Sequence, residues 1–466
     1  MAKSTHNPDS TLSIPPSGRL RLRDYLAVAS MLFALFFGAG NLIFPLHLGQ
    51  LSGSNWLQAG LGFLITAVVL PLLSVLAIAI TRADGAYGIG LPLGPAFATV
   101  FMVLIHATIG PFFGTPRTAT VSFTVGLAPL IPAQHQKTGL LIFTTVFFIA
   151  AFALAYKEND ILSNLGKILN PLFLVLLFIF FLVAFLSPLG SAAAHGPQNA
   201  AYLASSGALA RGFLEGYNTM DALAGLAFGV TIVTTIKLMG MEEERKVAGV
   251  TAQSGFLAMG AVGVIYILLI IIGAMSLNRF PLSENGGVAF SQIVQAYAGT
   301  VGQAFLATLI TLTCLTTAVG LVAAFGQDFH KRFPKVSYHV WLALSCLLSF
   351  TVANFGLDTI ISWSTPVLML LYPYCIALIL LSVFSPLFEK DGTVYFWVVL
   401  FITLPALLDM VTTAPAVISQ SAFGLFCSGL RSHLPLASLG LTWLIPALAG
   451  LFIGLIAHLR ERAIRR

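Results

Sequence analysis

The sequence predicts an all-α polytopic membrane protein of about twelve transmembrane helices: two inverted five-helix repeats, then two additional helices, with helices one and six discontinuous. Three observations carry this reading. The 466 residues are 58% hydrophobic and 9% charged, with a mean hydropathy of +0.93, against roughly 25% charged residues in soluble domains. Twelve apolar windows match the roughly 20 residues that cross a bilayer. The first and sixth windows carry glycine-rich and polar interruptions five spans apart, as expected of inverted repeats that each open on a broken helix.

Met1–Gly18 is polar and rich in Pro and Ser, and reads as a disordered tail within a cytoplasmic segment 1–23. Arg19, Arg21 and Arg23 precede the first apolar run, which is too long for a signal peptide and is followed by further spans, so no cleavage is expected. Span one, Tyr25–Leu48, contains FFGAGNLIFPLHLG from Phe36 to Gly49. Glycine costs a helix roughly 1 kcal/mol and proline roughly 3, and backbone groups freed in lipid cost several more unless satisfied. Such an interruption needs a use. Spans two to five follow at Trp56–Ile80, Ala96–Ser122, Thr138–Tyr156 and Ile161–Leu186, and residues 24–200 make up the first repeat with its external loop. His106 in span three is the only histidine placed mid-membrane, and packing or hydrogen bonding suits it better than a proton relay. Arg117 follows Pro111 and Pro116 at the outer end of that span, where it can snorkel or pair with a carboxylate.

The second repeat, 201–390, holds spans six to ten at Gly212–Ile236, Gly249–Leu277, Thr300–Phe325, Tyr338–Ala353 and Thr359–Phe384. The first half of span six contains Glu215, Gly216, Asn218, Thr219 and Asp221. A charge at the bilayer centre costs about 2.5–3.5 kcal/mol, so both carboxylates should face a cavity or a partner; an ion pair with Arg211 is the structural alternative. Pro366 and Pro373 predict kinks in span ten. Residues 391–466 supply spans eleven and twelve, Val394–Thr412 and Leu436–Leu459. Asp409 in span eleven reads as structural, and Ala414–Pro435 is long and apolar enough for a re-entrant loop.

If every span crosses, eighteen of the 23 Lys and Arg residues share the face of the N-terminus, leaving Arg117, Lys137, Arg211, Arg279 and Arg431 opposite. Both termini are therefore expected in the cytoplasm. The net charge of +6 then reflects loops facing anionic lipid rather than nucleic acid. Cys314, Cys346, Cys375 and Cys427 stand singly without CxxC spacing, which argues against a disulfide framework or a zinc site.

At each break, half-helix ends present N–H groups with positive dipole character and carbonyls with negative character. The first suit a carboxylate; the second suit an ammonium group or Na⁺. Paired breaks can thus hold an amino acid without committing a charged side chain, and Gly38-Ala39-Gly40-Asn41 reads as an unwound binding segment. Close helix packing is the competing reading for the glycines. Leu35, Phe36, Leu42 and Phe213 nearby suit an aliphatic side chain. In span eight, TLTCLTTAVG places Thr313, Thr316 and Thr317 within little more than a turn. Their hydroxyls are hard ligands of the kind Na⁺ takes, although such threonines also back-bond to their own helix.

FFGAGNLIFP, GFLEGYNTMDALAGLAFG and CLTTAVGL together resemble the signature segments of the BrnQ-type branched-chain amino acid:cation symporters of bacteria, over essentially Leu22 to Arg460. The resemblance implies membership of the LIVCS family in the amino acid–polyamine–cation superfamily, with the LeuT-type five-plus-five fold. It implies import of leucine, isoleucine and valine with Na⁺, or H⁺ in some members, through the bacterial inner membrane. By the same resemblance, the amides of Gly38, Ala39 and Gly40, with Asn41 nearby, receive the substrate carboxylate. The Ala34 and Phe37 carbonyls would join the Thr313 carbonyl and the Thr316 and Thr317 hydroxyls around Na⁺. The Glu215–Thr219 break would offer carbonyls to the ammonium group, with Tyr217 as a wall or lid. Asp221 and Glu215 are charged where the sodium-coupled leucine transporters have uncharged residues.

A secondary transporter accounts for the paired breaks and for the lack of a nucleotide motif such as GxxxxGK[ST]. A proton-coupled symporter of the same fold is the alternative. A channel would carry a repeated filter segment, and an enzyme would need convergent catalytic side chains or metal ligands. No cofactor is expected beyond the coupling ion.

Overall fold

The computed structural model describes residues 20–38, 40–156, 161–241 and 243–464, with the backbone alone at 161–171 and 244. The expected N-terminal tail and Ala39 lie outside the described residues. All regular structure among the described residues is helical, and nine of the helices are long and apolar enough to cross a membrane. Each expected span is helical, and several are less simple than their hydropathy suggests.

Span one is two helices, 1a (Leu22–Phe36) and 1b (Gly40–Ser52). Span two runs as Trp56–Leu64, a π-helical turn at Ile65–Val69, and Leu70–Thr81. Span three is interrupted as well: Pro95–Ala107 leads into a wide turn, Thr108–Phe112, before Gly114–Gly126 resumes. Pro111 has no N–H to give the preceding turn, and Gly110 adopts φ −87°, ψ −116°. Spans four and five are Gln136–Tyr156 and Ile161–Leu186. Span six divides into 6a (Ser205–Glu215), a 3₁₀ turn at Gly216–Thr219 and 6b (Asp221–Leu238).

Span seven is Glu244–Ser276, and span eight extends over Gly286–Arg332 with a sharp bend at Gly299, φ 62°. Span nine is Tyr338–Ala353. Span ten, Leu357–Val383, keeps Pro366 and Pro373 within one uninterrupted helix. Span eleven is Gly392–Thr413 and span twelve Leu444–Ile464. Between them, residues 414–435 form two short helices, Ala416–Ser419 and Ala422–Ser432. Arg431 and Thr442 each place a donor 2.6 Å from an Asp409 carboxylate oxygen, which ties this segment to span eleven. Asp409 therefore has the structural surroundings expected of it.

The repeat relation is visible in the packing. Helix 1b crosses span seven where Gly49 and Gly273 meet: a Cβ on Gly49 would fall 2.0 Å from the Ile270 carbonyl oxygen, and one on Gly273 1.9 Å from that of Leu46. Helix 6a crosses span two in the same way. A Cβ on Gly62 would lie 1.9 Å from the Leu209 carbonyl oxygen, and one on Gly212 1.8 Å from that of Ala59. Exchanging one with six and two with seven turns the first contact into the second. In lipid no hydrophobic force presses helices together, so such backbone-to-backbone contacts carry the packing.

Candidate functional site

The site starts from two backbones that stop being helical. Phe37 closes 1a by giving its N–H to Phe33 O at 2.8 Å and then turns extended, φ −88°, ψ 99°. Gly38 N–H, which a continuous helix would give to Ala34 O, goes to Asn41 Oδ1 at 3.0 Å. Asn41 N–H, the helical donor for Phe37 O, goes to Gly38 O at 3.2 Å. The α-helical donors of the Ala34 and Phe37 carbonyls are thus both spent elsewhere. In span six, the 3₁₀ turn ends at Met220, which takes the left-handed conformation, φ 60°, before 6b begins. Thr219 Oγ1 donates to Gly216 O at 2.9 Å within that turn.

A buried carboxylate joins the two breaks. Asp221 Oδ2 accepts from Asn41 Nδ2 at 2.8 Å and from Tyr266 OH, on span seven, at 2.9 Å. Asn41 Nδ2 also contacts the Tyr266 hydroxyl. All three residues are buried. Asp221 thus has the partner that its charge demands. Glu215 accepts from Asn218 Nδ2 at 3.0 Å rather than pairing with Arg211.

Arg117 lies somewhere the expectation of a snorkelling residue did not put it. The broken turn of span three brings it inward, where it is 3% exposed. Nη1 donates to Asn218 O at 2.7 Å, Nη2 donates to Ser364 Oγ on span ten, and the guanidinium lies 4.9 Å from the centroid of the Phe44 ring. Asn218 O, one of the carbonyls expected to face an ammonium group, is thereby engaged.

These elements enclose a cavity of about 90 Å³. Phe37, Gly38, Gly40 and Asn41 line it from span one, and Asn218, Thr219, Met220 and Asp221 from span six. Span three adds Ile109, Gly114, Arg117 and Thr118, and span eight adds Thr317 and Leu321. Leu35 and Phe36 supply apolar wall. Leu42 faces a neighbouring small void, and Phe213 faces an apolar cavity of about 330 Å³ between spans two, ten and twelve that offers nothing to a charged ligand. Glu215, Gly216 and Tyr217 sit beside the lining. Gly216 presses on span two, where an added Cβ would meet Thr66 Oγ1 at 1.9 Å, and the Tyr217 ring stacks on Tyr372 with centroids 4.0 Å apart.

Thr316 and Thr317 donate their hydroxyls to Thr313 O at 2.8 and 3.0 Å, and Thr313 Oγ1 is buried without a partner. A hydroxyl that donates keeps its lone pairs. A Cβ on Gly38 would lie 3.7 Å from Thr317 Cγ2, so these oxygens adjoin the break that frees the Ala34 and Phe37 carbonyls. The donor set is all oxygen, as a hard cation requires.

On the face of the N-terminus, the spans are tied together. Lys331 pairs with Asp84 at 2.8 Å and Arg332 lies 3.4 Å above the Tyr87 ring. His106 Nε2 lies 2.6 Å from Asp328 Oδ2 and Nδ1 3.0 Å from Met102 O, the hydrogen-bonded role expected of it. Tyr266 is a site residue that the pattern of the sequence did not single out, and Arg117 was read there as a residue of the outer end of span three rather than of the site. The available signals were a lone arginine behind Gly110, Pro111 and Gly114, and one hydroxyl in the otherwise apolar VIYILLII.

The family model described as branched-chain amino acid transport protein matches residues 21–461. The branched-chain amino acid permease BrnQ of Lactobacillus delbrueckii subsp. lactis is 42% identical over 431 residues, covering 92% of this chain and 95% of the permease. Among solved structures, MhsT in complex with L-phenylalanine aligns with a TM-score of 0.57 at 18% identity, covering 93% of this chain and 98% of MhsT. The inward-facing conformation of Mhp1 aligns with a TM-score of 0.59 at 13% identity, covering 95% and 91%. These likenesses show the LeuT-type fold.

Proposed function

Because the chain belongs to the family of branched-chain amino acid transport proteins, we propose that it imports leucine, isoleucine and valine across the bacterial cytoplasmic membrane as a secondary symporter. Na⁺ is the coupling ion, no other cofactor takes part, and both termini face the cytoplasm. The observation that carries this reading is the cavity where the breaks of spans one and six meet, with polar backbone at its centre and Leu35, Phe36, Ile109, Met220 and Leu321 around it. The charged end of an amino acid suits the breaks. Its aliphatic side chain suits the apolar wall, where burial contributes roughly 0.8 kcal/mol per CH₂. Gly38, Gly40, Asn41, Asn218, Thr219 and Asp221 hold the substrate in this reading, with Ala39 between them in sequence. Ala34, Phe37, Thr313, Thr316 and Thr317 hold the ion.

Coupling supplies the drive. One inward charge is worth roughly 2.3 kcal/mol at 100 mV, and a tenfold Na⁺ gradient adds roughly 1.4 kcal/mol, together enough for roughly several hundredfold accumulation. Proton coupling is the second reading, favoured by one observation: the Asp221 carboxyl is buried where spans one, six and seven meet, beside the cavity.

Uptake of radiolabelled leucine into proteoliposomes, with an imposed Na⁺ gradient or an imposed pH gradient, tests both readings. Valine and isoleucine should compete with leucine, and lysine and glutamate should not. Competition by lysine equal to that by valine would refute the substrate class. Full accumulation on a pH gradient without Na⁺ would replace Na⁺ by H⁺.

A further inference from the structure

We propose that Arg117 receives the α-carboxylate of the substrate, which makes it the determinant of selectivity for free amino acids; this rests on the reading of the cavity as an amino acid site. Arg117 is the only lysine or arginine among the buried described residues. Burying a guanidinium is costly unless an anion and hydrogen bonds compensate, yet Arg117 forms no ion pair with any described carboxylate. The two carboxylates nearest in the fold are already engaged, Asp221 by Asn41 and Tyr266, and Glu215 by Asn218. Both observed partners of Arg117 are neutral, the Asn218 carbonyl and the Ser364 hydroxyl. Its Nε is buried without a partner, and the residue lines the cavity.

Arg117 thus keeps a buried donor, Nε, and makes no direct ion pair, which leaves it able to take an anion that enters the cavity. A carboxylate matches the need, because the guanidinium fork binds its two oxygens through parallel N–H bonds. The amides of span one are poorer candidates for the whole task, since the Gly38 N–H is committed to Asn41 Oδ1. Seated on Arg117, the carboxylate would lie between spans three, six and ten, and the side chain would point toward Leu35, Phe36 and Leu321. Arrival of the substrate would also compete for the donors that now hold Asn218 and Ser364. That links occupancy of the site to the position of span ten.

The test compares leucine with leucinamide, which keeps the side chain and the amine and lacks the carboxylate charge. Equilibrium binding of both is measured on the purified, reconstituted full chain. Wild type should prefer leucine by roughly 100-fold, the size of a lost charge-assisted pair. Arg117→Gln should reduce that ratio to about tenfold or less. A wild-type ratio near one, or an Arg117→Gln ratio equal to wild type, overturns the proposal even where both affinities fall together, since a purely structural arginine lowers both alike. If Arg117→Gln does not elute as a single monodisperse species, the ratio is read on Arg117→Met, which keeps the apolar stem and removes the charge, and an unchanged ratio there is equally fatal. A wild type that ignores leucine but binds other amino acids refutes the substrate class instead, and the same comparison is then made between that amino acid and its amide.

Discussion

Asp221 is the residue through which spans one, six and seven hold one another, and its removal should be felt far beyond the carboxylate itself. Its Oδ2 accepts from Asn41 Nδ2 at 2.8 Å and Tyr266 OH at 2.9 Å. A hydrogen bond to a charged group contributes about 1.5–3 kcal/mol, so Asp221→Ala should cost about 3–6 kcal/mol through two lost bonds. Tyr266→Phe removes one of the two and should cost about 1.5–3 kcal/mol alone. In the Asp221→Ala background the same change should cost less, because the hydroxyl has already lost its carboxylate and keeps only its contact with Asn41. The two substitutions should therefore couple by about 1–3 kcal/mol. With roughly 2.1 cal/mol/K of unfolding entropy per residue, a chain of 466 residues converts each 1 kcal/mol into about 1 °C. Fluorescence-detected thermal unfolding of wild type, both single variants and the double variant in one detergent measures this directly. Strictly additive melting shifts, or an Asp221→Ala protein melting within about 1 °C of wild type, would refute the bridge.

Three further outcomes are expected. Gly40→Val places a Cβ 3.2 Å from Phe44 Cε2 at the mouth of the second half-helix, so leucine uptake should be lost while the protein still expresses and inserts, as checked by membrane yield alongside transport. Thr317→Ala should raise the Na⁺ concentration for half-maximal uptake at least several-fold, with a smaller change in the leucine requirement at saturating Na⁺, and Thr316→Ala combined with it should abolish accumulation; an unaltered Na⁺ dependence in the double variant would remove these residues from the ion site. At the N-terminus of span eleven, burial works to raise the Asp391 pKa, but the Thr393 N–H and the His458 ring outweigh it and hold the carboxylate below its ordinary range. A depressed carboxylate stabilises the fold above its unfolded value, about 3.9, and loses that contribution as pH falls through the lower folded value. Asp391→Ala should thus cost about 1 kcal/mol near neutral pH and progressively less on acidification, as read from melting curves between neutral pH and pH 3.

Much of the architecture is legible without coordinates because it follows from local chemistry. Glycine and proline inside an apolar run are expensive in lipid, so Gly38 to Asn41 and Glu215 to Asp221 announce broken helices by their composition alone. Hydropathy finds the spans for the same reason, since each must be apolar over its own length whatever its neighbours are. The break in span three was carried by similar residues, Gly110, Pro111 and Gly114, but a proline near a helix end is equally compatible with an intact helix, so composition did not separate the two.

What tertiary structure alone decided is who meets whom across the repeats. Asn41 finds Asp221 180 positions away and Tyr266 225 positions away, and Arg117 reaches Ser364 over 247. No period of 3.6 residues encodes such distances. They follow from helix crossings such as Gly49 on Gly273, which set how deeply each break sits and which side chain faces it. Arg117 shows the difference most sharply: its sequence position is that of a residue near the end of a span, and the turn at Gly110 makes it the buried cation of the cavity. A charge in lipid must be partnered; sequence alone states that requirement, and only the packing of distant helices supplies the partner.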